Sequence, residues 1–455
     1  MFENLLKPVN VGYLKLKNRM VQPAMGTNLA ARDGTVSDSI VDYYARRADG
    51  GVGLIITEVC CPEPGGRVIP GELEASSHAY IPGLNRLTTA AHAGGAKIAL
   101  QLAHGGCFAS EAVTGQRPIT PSGIGTVQLP DENPKSMNIE DIEELIEAYG
   151  KAAERGKMAE FDAIELHGAH GYMPLQFLSA YTNRRTDKYG GSLENRARFA
   201  LETIKSIKEH TGHEFPLIYR LSVKEDVPDG VTLEEAIQFA KWAEEAGVDA
   251  IDVSVGTWDS RIHDFQKVLA GEESPEGKKL SEGICTGMWV PPLYVPRGNL
   301  VDLAAAVKKA VNVPVIAVCG LSPEIGENLL AEGKADLVAI GRQIIADPDY
   351  PAKVRENKPE QIRRCVRCNE CLYRAVSYRG VKCSVNPEAG QEHEKFVKLK
   401  KAETPKNVMV VGGGPGGMAA AYTAAQRGHK VTLYEKEPEL GGLLRVISYP
   451  SFKKD

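Results

Sequence analysis

From residue 20 to about 342 the chain alternates short apolar, β-branched runs with longer stretches whose apolar residues recur at helical spacing. The runs are VQPAM (21–25), GLIITEV (53–59), KIALQLAH (97–104), AIELHGAH (163–170), PLIYRLSV (216–223), AIDVSVG (250–256), PVIAVCG (314–320) and LVAIGR (337–342). Between them, segments 138–158, 193–210 and 233–246 read as amphipathic helices, the last stopped by Gly247. Eight strand-and-helix units in strict alternation predict an α/β fold of the (β/α)8 TIM barrel type, with a doubly wound open sheet as the structural alternative.

Two connections, 105–137 and 257–298, are far longer than the usual few residues, and both follow a strand. They are therefore expected at the C-terminal face, where barrel active sites are built. The second carries Trp258, Trp289, Pro291, Pro292 and Tyr294, rigid and aromatic material suited to a pocket wall, although a loop that only packs on the barrel would look similar.

Composition adds a class and a compartment. Of the 455 residues, 43% are hydrophobic and 25% charged, as in ordinary globular proteins with a sizeable core. A net charge of -5 offers no broad cationic footprint, so neither nucleic acid nor a membrane surface is an expected partner. The first twenty residues scatter charges through short apolar stretches without a signal-peptide core, and no uninterrupted apolar span reaches membrane-crossing length. The expectation is a cytoplasmic protein acting on a small molecule, and a homo-oligomer is compatible with it. Four of nine cysteines crowd into residues 365–383, which suits ligands in a reducing compartment better than disulfides. The organisation expected is a barrel over 1–360, a cluster-binding segment over 361–395 and a nucleotide-binding segment over 396–455.

The segment CVRCNECLYRAVSYRGVKC spaces Cys365, Cys368 and Cys371 two residues apart and adds Cys383. Three closely spaced thiolates on a tight turn reach different irons of one cube, and a fourth closes the site, so a 4Fe-4S cluster is the reading. Zinc is the alternative, but structural zinc sites usually present two separated pairs. Cys60, Cys61, Cys107, Cys285 and Cys319 show no ligand spacing and read as buried small residues or pocket lining.

After the polar stretch QEHEKFVKLKKAETPK, the segment VMVVGGGPGGMAAAYTAAQRGHKVTLYEK sets Gly412, Gly414 and Gly417 between an apolar strand and a small-residue helix. Glu435 ends the next strand, at the distance where an acid binds a ribose hydroxyl. This predicts the truncated start of a Rossmann-type domain for FAD or NAD(P).

Residues 167–199, HGAHGYMPLQFLSAYTNRRTDKYGGSLENRARF, resemble the signature of the Old Yellow Enzyme family. With the cysteine cluster and glycine motif behind it, the chain is similar to the long iron-sulfur branch containing 2,4-dienoyl-CoA reductase, 2-enoate reductase, trimethylamine dehydrogenase and bile-acid-inducible NADH:flavin oxidoreductases. That resemblance implies FMN in the barrel, a 4Fe-4S cluster beside it, and electrons passing from NADH or NADPH through FAD and the cluster to FMN. It assigns Pro23, Ala24, Met25 and Gln101 to the flavin ring and Arg220 to its N1 and C2 carbonyl edge. It places the phosphate over Gly320, Gly341 and Arg342, where barrels tend to bind phosphate.

The resemblance further implies that His167 and His170 bind a substrate carbonyl and that Tyr172 donates a proton. Residues 20–36 lack the cysteine to which trimethylamine dehydrogenase bonds FMN, so FMN is expected to bind reversibly. Trp258 stands where dienoyl-CoA reductase has a second acid, and FLSA ending at Ala180 replaces the usual FLSP. The expected reaction is reduction of the C=C bond of an α,β-unsaturated carbonyl compound (enoate, enone, enoyl-CoA or 3-oxo-steroid). Desaturation of a 3-oxo-steroid, bile acid or acyl-CoA and an electron-transfer subunit without a small-molecule substrate are the alternatives.

Overall fold

All eight expected strands are present: β1 (Met20–Gln22), β2 (Leu54–Cys61), β3 (Lys97–Leu102), β4 (Ala163–Gly168), β5 (Leu217–Ser222), β6 (Ala250–Ser254), β7 (Val315–Ala317) and β8 (Leu337–Ala339). The structure, a computed structural model, describes residues 2–260, 290–293, 295–394 and 399–449. It divides into two compact units, residues 1–390 and 391–455, so the four-cysteine segment folds with the barrel.

In the first unit each strand pairs in parallel with its sequence neighbours, and β1 pairs with both β2 and β8, closing the barrel. At the closure, Val338 N–H donates to Arg19 O at 2.9 Å and Ile340 N–H to Val21 O at 2.7 Å. The strands read as nearly unbroken apolar runs because the interior packs one face and helices the other. Except at β2, the apolar runs overshoot the strands at their C-terminal ends. The extra apolar residues leave the sheet to line the barrel mouth, which needs burial without strand pairing.

Helices Asp38–Asp49, Ile81–Ala93, Ile139–Met158, Leu193–Thr211, Leu233–Glu245, Val301–Lys308, Pro323–Ala331 and Gly341–Ala346 follow the eight strands in turn. Asn138 with Asp141 and Thr232 with Glu235 form reciprocal capping boxes that start two of the helices flanking the site strands. Among the described residues no helix is long and apolar enough to cross a membrane.

The first long connection holds a 3-10 turn at Gly106–Phe108, a helical turn at Glu111–Thr114 and two short paired strands. Asp259, at the start of the second, ties the two together by accepting from Thr126 at Oδ1, and it also accepts from Tyr181 Oη, in the connection after β4, at Oδ2 at 3.2 Å. Trp289, Tyr294 and Cys285 lie outside the described residues.

The second unit contains parallel strands β9 (Asn407–Val411) and β10 (Lys430–Tyr434) joined through helix Pro415–Gln426. This is the strand, helix and strand order expected around the glycine motif.

Candidate active site

A cavity of about 530 Å3 lies at the C-terminal ends of the barrel strands. Every barrel residue assigned to the flavin, the substrate carbonyl or the proton lines it, whereas Pro291 and Pro292 of the second long connection are not part of its wall. Pro23, Ala24 and Met25 follow β1, Gln101 is on β3, and Arg220 is on β5. Gly320 follows β7, and Gly341 and Arg342 follow β8. His167 on β4, with His170 and Tyr172 just beyond it, forms another part of the wall.

Strand register explains the floor. Gln101 pairs across from Glu165, and Arg220 sits opposite both His167 and Asp252. Gln101 Nε2 donates to Glu165 Oε1 at 2.7 Å, Arg220 Nη1 to Ala24 O at 3.2 Å, and Arg220 Nε lies 3.4 Å from Asp252 Oδ2. Burial pushes both acids above the usual carboxylate range, while the Arg220 guanidinium opposes the shift. One guanidinium facing two buried carboxyls balances when one of them keeps its proton.

The rings of His167 and His170 have centroids 5.0 Å apart, and those of His167 and Tyr172 are 4.5 Å apart. Burial, then the Arg220 charge, holds both imidazoles well below the ordinary histidine value, so both are neutral. His167 Nδ1 is buried without a hydrogen-bond partner. His170 adopts a left-handed φ of 59°, and its backbone N–H donates to Ser222 Oγ at 3.0 Å. Burial raises the Tyr172 hydroxyl well above its usual value, and the charge of Glu72 adds to this.

Three further wall residues carried little or no warning in the sequence. Phe108 has ring centroids 6.4 Å from Tyr172 and 6.2 Å from Trp258, giving this side of the cavity an aromatic wall. Glu58 accepts from Thr27 N–H and Oγ1 through Oε2, at 2.5 Å each, and burial pushes it to about 7. Glu72 Oε2 accepts from Val68 N–H at 2.8 Å and Ile69 N–H at 3.1 Å, and burial pushes this acid to about 8. An acid inside the run LIITEV marks Glu58 as unusual, whereas Glu72, in a glycine- and proline-rich loop, carries no comparable signal.

At the other end, Cys319 (φ 81°) and Gly320 (φ 68°) turn consecutive residues into the left-handed region, with Arg297 and Arg342 nearby in the wall. Arg342 also lines a second, smaller cavity together with Cys365, Cys368, Cys371 and Cys383. Left-handed Arg367 and Asn369 fold the three-cysteine loop around it, and Arg367 N–H donates to Cys365 Sγ at 3.4 Å. Among the described residues no three His, Cys, Asp or Glu side chains converge as a single metal ion requires. Cys60, Cys61, Cys107 and Cys319 are buried, and Cys319 lines the larger cavity.

In the second unit, Gly412 has φ 99°, and a Cβ at Gly417 would stand 1.8 Å from Gly412 O. Glycine is what lets the helix approach the strand there. Gly414 is the residue preceding the helix, and Glu435 Oε2 accepts from Gly413 N–H at 2.5 Å.

A closed barrel with a cation-edged apolar cavity at its mouth, followed in sequence by a glycine-turn nucleotide motif, defines a flavoprotein-type barrel oxidoreductase. Residues 4–283 and 295–361 match the NADH:flavin oxidoreductase / NADH oxidase family, and residues 410–454 match the NAD(P)-binding Rossmann-like domain. The chain belongs to the NADH:flavin oxidoreductase / NADH oxidase family.

It is similar to an NADH oxidase of Thermoanaerobacter brockii, 44% identical over 98% of this chain and 65% of the relative. It is also similar to a cinnamate reductase of Clostridium sporogenes, 36% identical over 100% of this chain and 68% of the relative. A solved 2-naphthoyl-CoA reductase complex superposes with a TM-score of 0.91 at 32% identity, covering 100% of this chain and 68% of that one. The chain thus spans about two thirds of these relatives' length. The resemblance to the Old Yellow Enzyme iron-sulfur branch and the barrel-then-Rossmann architecture are both borne out.

Proposed function

We propose that this chain carries the substrate site of an NAD(P)H-dependent ene-reductase, which reduces the C=C bond of an α,β-unsaturated carbonyl compound. The observation that carries the reading is His167, buried and neutral, with a partnerless Nδ1 and its ring 4.5 Å from that of Tyr172 in one cavity. A neutral imidazole that donates to the substrate carbonyl polarises the conjugated alkene and stabilises the enolate that forms as the β-carbon is reduced. Tyr172, protonated throughout the physiological range, then places its proton on the α-carbon. His170, held beside His167, is the second group on the carbonyl.

FMN fits the larger cavity. Pro23, Ala24, Met25 and Gln101 would hold its ring, Arg220 its N1 and C2 carbonyl edge, and Gly320, Gly341 and Arg342 its phosphate. When bound, FMN supplies the hydride. Arg220, in the wall of that cavity, keeps a buried Nε without a hydrogen-bond partner, which supports a polar occupant beside it.

Four cysteines around a cavity, without convergence on one point, fit a 4Fe-4S cube better than zinc, whose ligands would meet at a single centre. Cys365, Cys368, Cys371 and Cys383 are the proposed ligands. Gly412, Gly414, Gly417 and Glu435 are proposed to contact FAD, through which NADH or NADPH electrons enter.

The test is anaerobic titration of reduced, FMN-loaded protein with enones, enoates and enoyl thioesters. Rapid flavin reoxidation is expected in the wild type, and Tyr172→Phe should retain ligand binding while slowing it about 10²-fold or more. If no unsaturated carbonyl compound reoxidises the wild-type flavin, the ene-reductase reading is wrong.

A further inference from the structure

Each reduction of a C=C bond consumes one proton, and Tyr172 holds only one. Once that proton has moved to the α-carbon, Tyr172 is left as a phenolate in surroundings that disfavour the anion. Another group has to restore the proton before the next turnover.

Glu72 is placed for this. It is 3% exposed and lines the same cavity as Tyr172. Its two oxygens have different surroundings. Oε2 is anchored by the Val68 and Ile69 backbone N–H groups at 2.8 and 3.1 Å, whereas Oε1 is buried without a hydrogen-bond partner. Two donors on Oε2 favour the acid proton on Oε1. We propose that Glu72 is the proton supply for Tyr172, acting through the tyrosine without touching the substrate.

The groups around Glu72 keep it in the acid form. Glu58 on β2 repels its charge, and the thiols of Cys60 and Cys61, at the end of the same strand, offer no cation. Arg67 is the nearby cation, but its Nε lies 3.5 Å from Glu74 Oε2, so its charge is shared with that acid. Tyr172 completes the set, coupled to Glu72 by charge.

The transfer balances. The Tyr172 O–H bond breaks as the α-carbon C–H bond forms; the phenolate's electron pair then takes a proton from a water in the cavity, and that water takes the proton of Glu72 Oε1 as its O–H bond breaks. The Glu72 carboxylate then regains a proton from solvent. The acid form prevails below about 8, so the supply fails as pH rises through that value.

This inference rests on the ene-reductase reading, and stopped-flow kinetics with dithionite as electron source separates the two. In Glu72→Gln, which keeps an oxygen for Val68 and Ile69, the first turnover should proceed near the wild-type rate because Tyr172 enters it protonated. Later turnovers should slow about 10-fold or more and lose their fall above pH 8. Wild type should itself show a one-equivalent burst above pH 8 and none below, a result independent of how the variant folds. On the FMN-free protein, infrared difference spectra should show one carboxylic acid fewer titrating near 8 in Glu72→Gln than in wild type, the signal of Glu165 remaining. Equal slowing of first and later turnovers, or a wild type without the pH-dependent burst, would overturn the proton supply. A wild type whose reduced flavin no enone reoxidises would instead overturn the ene-reductase reading.

Discussion

His170 Nε2 lies 2.7 Å from Ser254 Oγ, which makes the two histidines of the HGAHGY segment unequal. One ring nitrogen of His170 is committed to β6, whereas His167 Nδ1 has no partner. His167→Ala is therefore expected to weaken enone binding and slow flavin reoxidation about 10²-fold or more. Ser254→Ala, which removes one hydrogen bond of about 1 kcal/mol, should slow it by less than about 10-fold. Stopped-flow reoxidation with separate binding measurements checks the ranking, and a Ser254 effect as large as that of His167 would contradict it.

Both imidazoles are held well below 6.5 in the fold and protonate near that value once unfolded. Stability from burying them neutral is complete above about 6.5 and is lost as pH falls below it, because the unfolded chain then binds the extra protons. The midpoint of thermal unfolding should fall from pH 6.5 to 5, and His170→Asn should flatten that slope. An unchanged slope would show that the acid sensitivity arises elsewhere.

Arg220 is the cation beside two buried acids and the proposed flavin edge. Arg220→Met should weaken FMN binding about 10-fold or more and lower its midpoint potential, since a fixed positive charge favours the reduced anionic ring. Redox titration of the loaded protein reads the sign, and a raised potential would remove Arg220 from that edge.

Protein purified anaerobically should carry about four irons per chain with matching acid-labile sulfide. Cys368 is the exposed member of the quartet, so Cys368→Ser should lose iron with little effect on the barrel. Dithionite-driven enone reduction should survive in that variant. Stoichiometric zinc without sulfide would replace the cluster assignment.

At the glycine turn, Gly417→Ala would drive a methyl group into Gly412 O, whereas a Cβ at Gly416 meets nothing within 4 Å. The first substitution should destabilise the second unit by about 1–3 kcal/mol and abolish nucleotide binding. Gly416→Ala should leave both unchanged, as calorimetry and nucleotide titration would show.

The barrel was legible because each of its units repeats one pattern, apolar run then amphipathic helix, and because Gly247 marks a helix end. His167, His170, Tyr172 and Arg220 were legible through family resemblance combined with their positions at strand ends. Glu72 was not, since its anchoring comes from backbone N–H groups of a loop whose path no periodicity encodes. The difference between His167 and His170 was also hidden, because Ser254 reaches the second histidine from a strand distant in sequence.

The closing contact between β1 and β8 has a consequence for the order of synthesis. Pro23, Ala24 and Met25 emerge from the ribosome almost first, while Gly341 and Arg342, next to them in the wall, emerge near the end of the barrel. No partial chain ending before β8 possesses the larger cavity, however much of the barrel has already collapsed. A ligand filling that cavity binds the closed ring alone, so its concentration pulls the last strand into place by mass action. Cofactor supply in the cell would then govern how much of the newly made protein completes its fold.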